Sequence, residues 1–172
     1  DGAKLSKRHG ALGVDAYRDI GYLPDAMANY LLRLGWSHGD DEIISRQDAI
    51  AWFDLARVGK SPARFDFDKL ADVNSHYLRA LDAEAVWTLI EPHITATSPA
   101  ARGRVISLMP LLAERAKTHL EIAQRIGYLL QDGAPPCDED AASLLDADAQ
   151  ARLLKLADDF PAAPWNAESL QA

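Results

Sequence analysis

Residues 1–10 read Asp-Gly-Ala-Lys-Leu-Ser-Lys-Arg-His-Gly. Lys4, Lys7 and Arg8 put three fixed cations within five positions, and Ser6 adds a hydroxyl donor. Gly2 and Gly10 free the backbone at either end. Such a loop can wrap an anion, because phosphate oxygens are met well by ammonium groups and backbone N–H donors. Phosphoryl chemistry needs that charge stabilisation in its transition state. A solvated basic linker is the bland account of the same composition.

Other constellations carry less. Gly59-Lys60-Ser61 looks like the tail of a phosphate-binding P-loop, but the position that needs the first glycine is Asp54, and Pro62 follows the serine. That reading fails, and Lys60 is left as a surface lysine near a helix start. Arg102, Arg104, Arg115, Lys117 and Arg125 outnumber Glu114 and Glu121 between them, which makes this stretch either the candidate basic face for a polyanion or a solvated helix face. Trp36, Trp52, Trp87 and Trp165 could stack on bases, but Trp52 and Trp87 sit on apolar stripes and are expected in a core. Trp36 follows a helix-ending glycine and is expected to pack beneath the neighbouring helices. None of the five histidines has a partner at metal-ligand spacing, and Cys137 stands alone. No metal site and no disulfide is expected.

The elements that must position these residues read as helices. Pro24 suits a first helical turn, and Met27, Tyr30, Leu31 and Leu34 follow at helical spacing up to Gly35. Ser45 and Asp48 resemble a capping box ahead of Ala49, Trp52, Phe53 and Ala56. Asp66 or Asp68 opens a helix with Leu70, Val73, Tyr77 and Leu81. Asp82 caps another with Val86, Leu89, Ile90 and Ile94, and Ser98-Pro99 begins one carrying Val105, Leu108 and Met109 up to Pro110. One or two helices fill 111–130, with Leu120, Ile122, Ile126 and Leu129 or Leu130 inward. A loop spans 132–140, a helix follows over 147–160, and a new one starts near Asn166. No segment alternates with period two, so the fold class is all-α.

The formal net charge of −8 argues against a broadly basic RNA-binding surface. The charge is uneven, however. Residues 138–172 hold eight acids against Arg152 and Lys155, leaving 16 basic and 18 acidic residues before them. No apolar run approaches the ~20 residues of a membrane helix. The first residue is Asp1 rather than Met, which reads as a cut inside a longer protein.

Lys4-Leu5-Ser6-Lys7-Arg8 resembles the KMSKS-type signature of the aminoacyl-tRNA synthetases built on a Rossmann-like catalytic domain. With His9-Gly10 it looks specifically like the bacterial-type glutamyl-tRNA synthetases. Gly21-Tyr22-Leu23-Pro24, Asn29-Tyr30-Leu31, Leu34-Gly35-Trp36-Ser37 and Asp41-Glu42-Ile43-Ile44-Ser45 continue the resemblance. So do Lys60-Ser61-Pro62-Ala63, Phe65-Asp66, Lys69-Leu70 and Asn74. It is close over residues 1 to about 80 and rests on helical pattern beyond.

The resemblance implies a signature loop at 1–13, a helical stem-contact domain at 14–81, and the first part of a helical anticodon-binding domain at 82–172. It implies that Lys4, Ser6, Lys7 and Arg8 meet ATP, used with magnesium, and that the parent enzyme ligates glutamate to tRNA(Glu), with tRNA(Gln) left open. Lys60, Arg102, Arg104, Arg115 and Lys117 are the candidate tRNA contacts. A cytoplasmic monomer, without membrane attachment and inactive without the rest of the catalytic domain, is the expectation. The rival reading is a helical protein-interaction module with no RNA role, favoured by the acidic charge and opposed by the ordered match. A truncated paralogue that modifies the tRNA for aspartate is opposed by the helical region after residue 82.

Overall fold

The computed structural model describes residues 13–60, 63–95, 98–133 and 138–159. Among these, every regular element is helical. The first compact unit runs to Gly133 and contains α1 (Val14–Asp19), α2 (Pro24–Gly35), α3 (Arg46–Trp52), α4 (Phe67–Ala80), α5 (Ala83–Ile90), α6 (Pro99–Glu114), α7 (His119–Arg125) and α8 (Gly127–Leu130). The second unit contains α9 (Glu139–Ser143) and α10 (Ala147–Asp159).

Side-chain caps start these helices where the sequence places them. Asp66 accepts from the backbone N–H groups of Asp68 and Lys69, Asp82 from that of Ala85, and Ser98 from that of Ala101. Ser45 Oγ accepts from the Asp48 N–H at 3.1 Å and donates to the Asp48 carboxylate at 2.7 Å. The short Asp side chain thus takes the Ser hydroxyl, where a longer Glu reaches back to the cap N–H. Three α-helix caps are not among those read from the sequence: Thr118, which accepts from the Glu121 N–H, Asp138, which starts α9, and Asp146, which accepts from the Ala149 N–H at the start of α10.

One apolar core binds the first unit. Leu23, Ala26, Val73, Leu78, Val86, Trp87, Ile90, Val105, Met109, Ala113, Ala116, Ile122 and Ile126 form it. It takes side chains from both sides of Leu81–Asp82 without a break. A smaller cluster of Met27, Tyr30 and Leu70 lies under Tyr17, Tyr22 and Phe65.

Some expectations change. Trp87 is buried, as expected, and Trp36 is buried as well. Trp52 is 38% exposed, however, and no residue of α3 is buried. α3 touches α2 but buries none of its residues there, and Trp52 stacks on His38 with ring centroids 4.3 Å apart. Leu31 and Leu81 are exposed, and Leu78 takes the inward place expected of Leu81. The helix expected to stop at Pro110 runs through it to Glu114. Pro110 faces solvent while Met109 and Ala113 are buried on the other side. Core packing across that turn outweighs the missing N–H, a penalty of about 3 kcal/mol in an isolated helix.

Candidate nucleic-acid interface

Lys4, Ser6, Lys7, Arg8 and Trp165 lie outside the described residues. The basic face read between residues 102 and 125 is described, and most of its charge is already engaged. Arg102 pairs with Glu84 and lies 5.3 Å from the centre of the Trp87 ring. Arg104, on a different side of α6, donates to the carbonyls of Leu129 and Gln131 and to the Asp132 carboxylate. Those bonds, with one from Ser98, hold the Asp132 carboxyl below its usual range. Lys117 Nζ meets Asp72 at 2.6 Å. Arg125 pairs with Glu121 and donates to the Arg115 carbonyl. The Arg115 side chain is exposed and forms no ion pair with a described residue.

A different concentration of cations lies between α3 and α4. Every residue from 51 to 60 is exposed, as are Ala63 and Arg64. This arm holds a single 3₁₀ turn, Leu55–Arg57, started by Asp54 accepting from the Ala56 N–H. The Gly59 N–H donates to the Gly35 carbonyl at 2.7 Å, which seats the arm on the end of α2. At its other end the Asp66 N–H donates to the Tyr30 hydroxyl at 2.6 Å. Arg57, Lys60 and Arg64 stand on it, and none pairs with a described acid. Exposed Trp52, Phe53, Leu55 and Val58 lie among or beside them. Unpaired cations interleaved with exposed apolar and aromatic side chains suit an RNA backbone and its sugars. Of these residues only Lys60 was read from sequence as a contact. Arg57 and Arg64 could have been found, because no acid stands between residues 55 and 65.

The first unit also holds a buried histidine. His119 begins α7, is 8% exposed, and leaves Nδ1 without a partner. Its ring centroid is 5.8 Å from that of His93. Burial lowers its pKa below the ordinary 6.5, and His93 lowers it further, against a hydrogen bond to the Gly21 backbone that raises it. The unfolded chain therefore takes the proton first as pH falls. The contribution is full above pH 6.5 and is lost as pH drops below it. We expect the unfolding free energy from urea titrations to decline from pH 7.5 to 5 more steeply in wild type than in H119Q, by at most about 1.4 kcal/mol per pH unit. Parallel declines would refute the assignment.

Sequence and structure comparisons fit this geometry. Residues 1–72 match the family described as tRNA synthetases class I (E and Q), catalytic domain. Residues 70–172 match the anticodon binding domain family. The class is thus a class I synthetase segment in which the catalytic-domain match passes directly into an all-helical anticodon-binding match. A glutamate–tRNA ligase 2 of Parvibaculum lavamentivorans is 52% identical over 161 residues, covering 91% of this chain and 33% of that protein. One from Zymomonas mobilis is 48% identical over 99% of this chain and 37% of its own length. A crystal structure of a glutamate tRNA ligase from Elizabethkingia meningosepticum, in complex with its amino acid, superposes with a TM-score of 0.74. That match has 26% identity and covers 98% of this chain and 38% of the solved one. The chain belongs to the glutamate–tRNA ligase family. It spans about a third of the length of the curated relatives it matches.

Proposed function

We propose that this chain is the tRNA-contacting part of a glutamate–tRNA ligase, which joins glutamate to tRNA(Glu) with ATP through a glutamyl-adenylate. The observation that carries the reading is continuity. The catalytic-domain and anticodon-binding matches meet at residues 70–72, and ligase relatives align across both. Arg57, Lys60 and Arg64 are the primary phosphate contacts of the first half, and Arg115, which forms no ion pair with a described residue, is the candidate of the second. Arg102, Arg104 and Lys117 reach phosphate only alongside their present acidic or carbonyl partners.

Lys4, Ser6, Lys7 and Arg8 are the ATP contacts, a donor set of cations and a hydroxyl that suits a triphosphate carried with magnesium. The division at Leu81–Asp82 marks the stem-contacting and anticodon-side modules, which share one core here. The parent protein is a cytoplasmic monomer, and tRNA(Gln) joins its substrates if it is non-discriminating. No helix among the described residues is long and apolar enough to cross a membrane.

The pure chain, given ATP, magnesium, labelled glutamate and tRNA, should leave no charged product while binding tRNA in a salt-dependent way. Charging above the blank would overturn the division of labour. Absence of binding at low salt would overturn the RNA reading.

A further inference from the structure

Asn74 lies on α4 with no solvent exposure, and both ends of its carboxamide are used. Its Oδ1 accepts from the Leu23 N–H at 2.7 Å, and its Nδ2 donates to the Lys117 carbonyl at 2.6 Å. Those partners lie 51 and 43 residues away in sequence, on either side of α4. The next residue repeats the tie, since Ser75 Oγ donates to the Ala116 carbonyl at 3.0 Å. Lys117 Nζ returns to Asp72 on the same helix. On the other side of the knot Gly21 adopts φ +91°, and a Cβ there would stand 3.0 Å from both Thr118 Cβ and Leu120 Cγ.

Three segments therefore meet at a point: the entry to α2, the middle of α4, and the turn between α6 and α7. The first two carry the exposed arm, which is seated on Gly35 and Tyr30 at its ends. The third belongs to the half matched by the anticodon-binding family. The hydrophobic core around the knot is non-directional. The carboxamide is different, because it accepts from one segment and donates to another at fixed geometry.

We propose that Asn74 is a positioning residue for tRNA binding, a joint that fixes the arm carrying Arg57, Lys60 and Arg64 relative to α5–α8 of the same unit. The proposal rests on the RNA reading above and adds a mechanism to it. An RNA that touches both halves pays for orienting them only once if they are already held in register. Loosening the joint leaves each half's own contacts intact and removes the gain from engaging both. An RNA that reaches one half alone does not sense the change.

The test compares the full 172-residue chain with N74A, and with V105A as a control that removes core volume but none of the joint's hydrogen bonds. All are assayed below their melting transitions. Probes are a whole tRNA(Glu) transcript and a short hairpin long enough for the arm only. N74A should weaken whole-tRNA binding on the order of tenfold while leaving hairpin affinity unchanged. V105A should change neither. If N74A does not fold, S75A removes one parallel tie and should show a smaller loss with the same selectivity. N74A or S75A matching V105A on both probes overturns the joint, as does an equal loss on tRNA and hairpin. A wild-type chain that binds neither RNA overturns the RNA reading itself, and the joint with it.

Discussion

Replacing Arg57, Lys60 and Arg64 together by Gln should cost the chain most of its affinity for tRNA and the larger part of its salt dependence. All three are exposed, and none spends its charge on a described acid. Each cation that neutralises a duplex phosphate steepens the log–log salt slope by about 0.9. Three such contacts contribute about −2.7 to the wild-type slope, which by itself lowers affinity roughly 40-fold between about 50 and 200 mM salt. The triple variant should lose that contribution while keeping its thermal midpoint, because the side chains contribute no described packing or ion pair. Filter binding across a salt series reads both. A variant that keeps the wild-type slope would move the interface elsewhere, and Arg115 would be the next cation to examine.

The second large effect is on stability, and its sign differs between two glycines. Gly21→Ala forces an L side chain into positive φ and brings its Cβ to 3.0 Å from Thr118 and Leu120. Backbone strain of about 1–3 kcal/mol adds to crowding of about 1–3 kcal/mol in a packed region. Gly103→Ala meets nothing within 4 Å and lies inside α6, where Ala is the better helix former by about 0.5–1 kcal/mol. Chemical denaturation should show Gly21→Ala destabilised by several times the amount by which Gly103→Ala is stabilised. If both substitutions shift the midpoint the same way, the packing at Gly21 has been misjudged.

The helical class and most helix starts were legible because their causes are local. Asp66, Asp82 and Ser98 each bond a backbone N–H within three residues, so sequence shows both partners at once. The missed features depend on distant partners. Whether the Trp52 stripe is buried turns on how closely α2 covers α3, and that contact leaves no residue of α3 buried. Whether Pro110 ends its helix depends on the core beneath Met109 and Ala113. The basic face misled for the same reason. Its acids are Glu84 and Asp72, 18 and 45 residues from Arg102 and Lys117, where a local charge tally cannot see them. The arm was hidden by its irregularity, since it has no periodicity to read and only a single short turn.

The ties at Asn74 also bear on the order in which the chain is made. A ribosome releases α2 and α4 well before the turn between α6 and α7, and domains generally fold as units from the N-terminal end during synthesis. Until Lys117 emerges, the Asn74 amide has no carbonyl to donate to, and the Gly21 turn has no Thr118 or Leu120 to fill the space beside it. Leu23, Ala26 and Val73 likewise await Val105, Met109 and Ile122. The earliest helices of this unit must therefore wait, partly open, for a segment made about forty residues later.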